Sequence, residues 1–144
     1  MRQRCRFSFD NPPGSRGQRC LAHRRGGGAN DGIGVHEAIV GVGFPQTDRF
    51  QKIHRLSPDR FLYDERHPDL TEPRSEKFVL IEITISFGRS VEFKKDLLTR
   101  IIRNLEQQPG ISPRDIMVLF VETARENWAF AGGIQYYVET EDSN

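Results

Sequence analysis

The sequence predicts an α/β (α+β) fold in which tandem βαβ units form a four-stranded mixed sheet with two helices on one face. The clearest evidence lies in residues 78–122, where two nearly continuous apolar runs, FVLIEITISF and IMVLFVE, flank a segment with helical periodicity. A strand, a helix and a strand within about 45 residues make a βαβ unit, whose crossover requires the two strands to be parallel. The preceding residues look like a first, less regular copy of this unit.

The first copy is predicted from weaker patterns. RFSFD, at residues 6–10, alternates like a short strand. Residues 33–43 place apolar side chains at helical spacing and indicate the end of a helix. A turn that contains Asp48 then leads into a strand that starts at Phe50. Residues 57–76, rich in Pro, Asp and Arg, are predicted to form a long surface loop.

The second copy contains a well-defined helix. Ser90 is a suitable N-cap, and Glu92 lies near the positive end of the helix dipole. A stripe of apolar residues follows, formed by Leu97, Leu98, Ile101, Ile102 and Leu105. Pro109 and Gly110 end the helix. With both helices on one face, the opposite face of the sheet stays apolar and uncovered, so we predict an oligomer.

The composition limits the classes of function. The chain has 144 residues, enough for one compact domain. Its net charge of +1 provides no overall field that would attract a nucleic acid or a membrane surface. The longest apolar runs fall short of the roughly 20 residues that span a bilayer, and Cys5 and Cys20 lack the spacing of a metal site. We therefore expect a soluble, cytoplasmic protein with no nucleic-acid or membrane partner.

The amino-acid composition changes abruptly near residue 32. Residues 1–30 contain seven arginines and one acidic residue, but no Lys, Val, Ile, Glu, Thr, Tyr or Trp. We divide the chain into an atypical Arg/Gly-rich segment at 1–32, a folded domain at 33–138 and a tail at 139–144. The first segment is expected to be poorly ordered or mis-translated. A basic tail for nucleic acid, a targeting segment and a frame or start error remain open interpretations of it.

Four residues are candidates for a functional site. Arg89 follows a strand and precedes a helix, so its guanidinium and the free helical N–H groups could bind one carboxylate, unless Arg89 is only a solvated turn residue. Trp128 and Phe130 form either an apolar pocket wall or core packing. Asp48 either acts at the site or caps its own turn. The histidines lack metal-ligand spacing and no phosphate-binding or dinucleotide motif appears, so neither a metal nor a cofactor is expected.

Taken together, the strings VLIEITISFGRSVEFKKDLLTRII, PGISPRDIMVLFVET and ENWAFAGG resemble the tautomerase superfamily. The DRFQ stretch resembles the longer, duplicated members of this superfamily that are related to malonate semialdehyde decarboxylase. The resemblance covers residues 33 to about 138. It implies a tautomerase-like double βαβ sheet, a homotrimer and a small anionic substrate.

The resemblance also implies roles for individual residues. Arg89 would bind a substrate carboxylate or polarise a carbonyl, and Asp48 would orient water or a proton. Trp128 and Phe130 would form an apolar wall that lowers the local dielectric and strengthens the attraction of Arg89 for an anion. Phe87 belongs to the predicted substrate-binding residues, and it stands where the decarboxylase-like members have a second arginine. The predicted reaction is therefore keto–enol isomerisation of a small 2-oxo/enol carboxylic acid.

The catalytic group of the family is an N-terminal proline, whose amine is kept neutral by desolvation and nearby cations. The sequence here begins Met1-Arg2-Gln3, and the amide nitrogens of Pro12 and Pro13 have no basic lone pair. Two hypotheses follow: a tautomerase whose native start carries the proline, or a non-catalytic trimeric relative that binds small anionic ligands. Decarboxylase or hydratase activity on a 3-oxo acid is a further alternative.

Overall fold

The computed structural model describes residues 18–24 and 30–135. Within these ranges the chain forms strand β1 (Gln18–Arg24), helix α1 (Asn30–Gly41), strands β2 (Gln51–Arg55) and β3 (Val79–Ser86), helix α2 (Val91–Gln107) and strand β4 (Ile116–Thr123). Two short 3₁₀ turns, Pro113–Asp115 and Arg125–Asn127, flank β4. None of the helices in the described ranges is long and apolar enough to cross a membrane.

The strands form one sheet in the order β2-β1-β3-β4. β1 is parallel to β2, and β3 is parallel to β4. The two pairs meet where β1 runs antiparallel to β3, with Gln18 opposite Ile85 and Arg19 opposite Thr84. Each parallel pair is connected through a helix, as a parallel crossover requires. The predicted mixed α/β class, with two helices and a sheet, is confirmed.

The position of the first strand differs from the prediction. The predicted strand at residues 6–10 lies outside the described residues, whereas β1 lies at Gln18–Arg24, inside the segment 1–32 that we set apart from the folded domain. Its sequence, QRCLAHR, contains no β-branched or aromatic residue and gives little strand signal. Strands on both sides pair with its backbone, and this pairing compensates for the weak local preference.

The core lies between the two helices and one face of the sheet. α2 begins as predicted, because the Ser90 hydroxyl accepts a hydrogen bond from the Phe93 N–H at 3.0 Å. The buried positions of α2 are Leu97, Ile101 and Leu105, whereas Leu98 is 38% exposed despite its place in the predicted stripe. These side chains pack with apolar residues of α1 and β3, namely Val35, Ala38, Ile39, Val79, Ile81, Ile83 and Ile85. Each large buried side chain contributes about 1.5–3 kcal/mol to folding.

The outer face of β4 is apolar and exposed. Met117, Leu119 and Val121 alternate along this strand, and each is between 41% and 45% exposed. Isolated apolar residues on a surface are common, but three in a row on one strand face form a patch. This patch lies on the side of the sheet away from the helices, where the sequence predicts a subunit contact.

A buried polar contact fixes α1 to β2. Gln51 is fully buried, and its Nε2 donates a hydrogen bond of 2.6 Å to the Gly32 carbonyl. A Cβ atom at Gly32 would lie 2.8 Å from Oε1 of Gln51 and 2.9 Å from Cδ1 of Ile53. A side chain at this position would force Gln51 or Ile53 to move, so the close approach of the helix to the strand favours glycine.

The long segment between β2 and β3 is fixed to the start of β4 by Asp115. This carboxylate is 1% exposed and accepts two hydrogen bonds of 2.6 Å, from the backbone N–H and the hydroxyl of Ser75. Phe61, Tyr63 and Phe78 pack their rings together in the same segment. The predicted surface loop thus has its own small aromatic cluster and one buried anchor.

Candidate active site

Three of the predicted site residues lie beyond strand ends at one edge of the sheet. The parallel strands β3 and β4 end side by side at this edge, where Ser86 pairs with Thr123. β1 is antiparallel to β3, and β2 is parallel to β1, so β2 starts at the edge where β3 ends. Asp48, which precedes β2, therefore shares this edge with Arg89 and Trp128.

Arg89 occupies the tight connection between β3 and α2. Gly88 adopts a φ of 97°, a conformation that glycine favours, and Ser90 then caps the helix. The Arg89 guanidinium carbon lies 5.7 Å from the ring centroid of Phe44 and 5.3 Å from that of Phe93. Both distances are within the range of cation–π interactions. The rings of Phe44 and Phe93 pack edge to face with their centroids 6.2 Å apart, so the Arg89 guanidinium lies against both rings at the N-terminus of α2.

The electrostatic surroundings of Arg89 combine burial with a second positive charge. Burial lowers the pKa of the Arg89 guanidinium, and the positive charge of Arg125 lowers this pKa further. An arginine nevertheless stays protonated at neutral pH.

Trp128 and Phe130 form an aromatic pair beside the same edge. Trp128 is 6% exposed, and its ring centroid lies 5.6 Å from that of Phe130. The backbone N–H of Trp128 donates a hydrogen bond of 3.0 Å to the carbonyl of Arg125, which fixes the indole directly after the 3₁₀ turn. Gly132 and Gly133 follow with φ values of 66° and 69°, so the Gly-Gly pair turns the chain after the aromatic pair.

Asp48 and Phe87 reach the edge in different ways. Asp48 is partly buried in its turn, and its backbone N–H donates to the Pro45 carbonyl at 3.1 Å. Phe87 continues the β3–β4 ladder by one hydrogen bond, from its N–H to the Thr123 carbonyl at 3.0 Å. Its side chain is 62% exposed. Phe87 thus lies at the edge without being buried in it, and its predicted role in substrate binding stays a prediction.

Three residues of this edge were absent from the predicted site: Phe44, Phe93 and Arg125. Phe93 could have been found from sequence, since it lies four residues after Arg89 at the start of a helix, close enough to contact it. Phe44 and Arg125 come from other elements, and their contacts depend on the tertiary arrangement. In the ranges that the structure describes, no group of three His, Cys, Asp or Glu side chains could hold a metal ion.

A cavity of about 230 Å³ lies elsewhere, between the two helices. Its walls include Gly34 and Glu37 of α1 and Asn104 of α2. Asn104 is 15 positions along the chain from Arg89, which corresponds to about 22 Å along a helix that rises 1.5 Å per residue. This cavity therefore does not belong to the site around Arg89.

Comparison with known proteins agrees with this architecture. A family profile described as tautomerase enzyme matches residues 48–131, more than half of the chain. The chain belongs to the tautomerase family. The match includes Asp48, Arg89 and Trp128. The predicted resemblance to the tautomerase superfamily is thus confirmed.

Solved structures of tautomerase-superfamily proteins have the same fold. A malonate semialdehyde decarboxylase, studied for its decarboxylase and hydratase activities, is 27% identical, with a TM-score of 0.73 over 81% of this chain and 92% of that one. A second such decarboxylase, inhibited by 3-bromopropiolate, is 24% identical, with a TM-score of 0.73 and coverage of 81% and 91%. A fused 4-OT symmetric trimer is 16% identical, with a TM-score of 0.60 and coverage of 81% and 94%. Curated protein sequences gave no match.

Proposed function

We propose that this protein catalyses keto–enol isomerisation of a small 2-oxo/enol carboxylic acid. The supporting observation is the position of Arg89, which is packed against Phe44 and Phe93 at the edge that also holds the Trp128–Phe130 pair. A half-buried cation beside aromatic rings attracts a small planar anion more strongly than an exposed cation does, because water screens it less.

The isomerisation needs only the movement of one proton. The amine of an N-terminal proline, which is the base that the family resemblance implies, would remove the proton from the carbon next to the carbonyl. The electron pair forms the carbon–carbon double bond, and the carbonyl oxygen becomes an oxyanion that takes the proton back from the protonated amine. Arg89 would stabilise the substrate carboxylate or the developing oxyanion, where one lost stabilising group typically costs about 10²–10³ in rate. Asp48 would orient the proton or a water molecule, and Trp128 with Phe130 would exclude bulk water.

We also propose that the protein assembles as a homotrimer. The exposed apolar face of Met117, Leu119 and Val121 supports a contact between copies of the chain. A fused 4-OT of the same fold is a symmetric trimer. Light scattering on the full chain would give three times the monomer mass if the proposal is right, and the monomer mass alone would contradict it.

A second candidate function is anion binding without turnover. The sequence of β1, QRCLAHR, contains no proline, and its first residue, Gln18, is preceded by Gly17. The nitrogen of Gln18 is therefore an amide and lacks the basic lone pair of the N-terminal proline amine that the family resemblance implies.

A third candidate function is decarboxylation or hydration of a 3-oxo acid, which the similarity to malonate semialdehyde decarboxylases supports. The resemblance places a second arginine of the decarboxylase-like members at the position of Phe87, and the absence of that positive charge from this position argues against the decarboxylation.

The test is an ultraviolet assay of the full chain with the enol form of phenylpyruvate, compared with the Arg89→Gln variant. Arg103→Gln is the matched control, because Arg103 is exposed on α2 away from the edge. The proposal predicts ketonisation above the buffer rate, a loss of about 100-fold in Arg89→Gln, and no change in Arg103→Gln. Binding of the enol acid without any rate above buffer would establish the second candidate and refute the first. Consumption of a 3-oxo acid with release of CO₂ would establish the decarboxylase.

A further inference from the structure

The cavity between α1 and α2 has one side that is held firmly in place. Gly34 of α1 lies beside Leu105 of α2 whereas Gly41 lies beside Arg100, so the two helices run in opposite directions. A Cβ atom at Gly34 would lie 3.3 Å from Cδ2 of Leu105, which shows how closely the backbone of α1 packs on α2. The Nδ2 of Asn104 also donates a hydrogen bond of 3.0 Å to the Gly34 carbonyl. Packing and a hydrogen bond therefore fix this wall of the cavity.

The polar groups of the cavity are rich in hydrogen-bond acceptors. Glu37, Asn104, Gln107 and Gln108 contribute side chains to its wall. Asn104 uses its NH₂ group to bind the Gly34 carbonyl, and its amide oxygen can accept a bond from a ligand. The two glutamines add an amide oxygen each, and the carboxylate of Glu37 is an acceptor only. A ligand that donates several hydrogen bonds fits this set of groups.

Glu37 gives the cavity a negative charge. Within the part of the chain that the structure describes, its carboxylate forms no ion pair. Arg100, one turn before Asn104, is paired with Asp96 at 3.1 Å, and Arg103 is exposed and does not line the cavity. The dipoles of the two antiparallel helices offset each other, so the full charge of Glu37 determines the sign of the potential in the cavity.

The size and chemistry of the cavity limit the class of ligand. Its volume of about 230 Å³ is below the roughly 300–1,000 Å³ of sites for drug-sized molecules. Calcium and magnesium prefer several carboxylate oxygens, and this wall has only one carboxylate. An ammonium group has three N–H donors, and Ile33, which is 44% exposed, offers an apolar surface to a short alkyl chain. We propose that this cavity binds a small primary alkylammonium ion at a site separate from that of Arg89.

The test is an NMR titration of the ¹⁵N-labelled full chain with butylammonium chloride. The backbone amide signals of Gly34 and Gln108 report binding in the cavity. We expect these signals to shift in a saturable way, with a dissociation constant on the order of 1–10 mM, because water screens an exposed carboxylate. Butan-1-ol has the same alkyl chain without the charge, and it should bind at least about fivefold more weakly.

Three variants test the role of the charge. Glu37→Gln should weaken butylammonium binding about 5–10-fold, between the effect of an exposed ion pair and that of a charged hydrogen bond. Gln107→Glu adds a second carboxylate to the wall and should strengthen binding about two- to fivefold. Glu106→Gln is the matched control, because it removes the same charge from an exposed position of α2 that does not line the cavity. Its affinity should change by less than about twofold.

Several results would overturn the inference. Butan-1-ol that binds as tightly as butylammonium would exclude recognition of the charge, and shifts confined to residues outside the cavity would exclude this location. An equal loss in Glu37→Gln and Glu106→Gln would reduce the effect to the general surface charge. Calcium chloride that binds more tightly than butylammonium would exclude the organic cation. Arg89→Gln should leave butylammonium binding unchanged, so the inference and the proposed function can fail independently.

Discussion

Asp115 offers a sharp test of the packing described for the long β2–β3 segment. Asp115→Ala removes two charge-assisted hydrogen bonds of 2.6 Å and leaves the Ser75 N–H without its acceptor. Bonds to a charged group contribute about 1.5–3 kcal/mol each, and relief of the desolvation of a carboxylate that is 1% exposed offsets part of this loss. We expect the free energy of unfolding to fall by about 2–4 kcal/mol.

The assay is urea unfolding followed by circular dichroism at one fixed protein concentration, since the stability of an oligomer depends on concentration. Asp59→Ala, at an exposed position of the same segment, is the control and should change stability by less than about 0.5 kcal/mol. Asp115→Ala combined with Ser75→Ala should cost less than the sum of the two single variants. A loss below 0.5 kcal/mol in Asp115→Ala, by the same criterion as the control, would refute the anchor.

Three further predictions concern α1, β4 and His36. Gly32→Ala should gain about 1 kcal/mol of helix propensity but lose more to the 2.8 Å contact with buried Gln51, giving a net loss of stability in urea unfolding; a more stable variant would contradict the close approach. Leu119→Lys should convert the proposed oligomer to monomers, as measured by light scattering, because it would place an unpaired charge in the middle of the apolar contact. An unchanged mass would exclude this face as the interface. Burial lowers the pKa of His36, and the charge of Arg49 contributes to this, so the unfolded chain binds the proton more readily. Stability should therefore fall as pH drops below about 6.5, and His36→Gln should make this fall shallower.

The elements of the second βαβ unit could be predicted because each has a strong periodic pattern. The predicted strands 78–87 and 116–122 correspond to Val79–Ser86 and Ile116–Thr123, and the helix starts directly after its predicted cap, Ser90. These runs are long, apolar and bounded by clear turn residues, so local preference and tertiary packing agree. The first and last residues of β3 and β4 and the start of α2 are therefore determined mainly by the local sequence.

β1 could not be predicted in the same way. The residues Gln18–Arg24 have a polar, arginine-containing sequence, and the strand exists because β2 and β3 pair with its backbone from both sides. Such pairing depends on where distant segments lie, which local sequence does not encode. The prediction placed the first strand at residues 6–10 instead, because RFSFD alternates like a strand.

The residues of the candidate site likewise divide into those that the sequence indicates and those that only the fold reveals. Arg89 and Trp128 stand out in sequence because a cation between a strand and a helix, and an aromatic residue before Gly-Gly, are unusual. Phe44 and Arg125 are ordinary residues by sequence, and they matter only because a helix end and a neighbouring strand end bring them to Arg89. Arg89 could therefore be proposed from the sequence, whereas the residues that surround it could be identified only from the fold.

The most direct test of the central claim is proton exchange at the carbon next to a carbonyl. 2-Oxobutanoate in D₂O would be followed by proton NMR with the full chain, with Arg89→Gln and with buffer alone. We predict that the full chain accelerates loss of the C3 proton signal and that Arg89→Gln reduces this acceleration by about 100-fold. An exchange rate equal to that of buffer, with the folded full chain present, would contradict the proposed isomerisation.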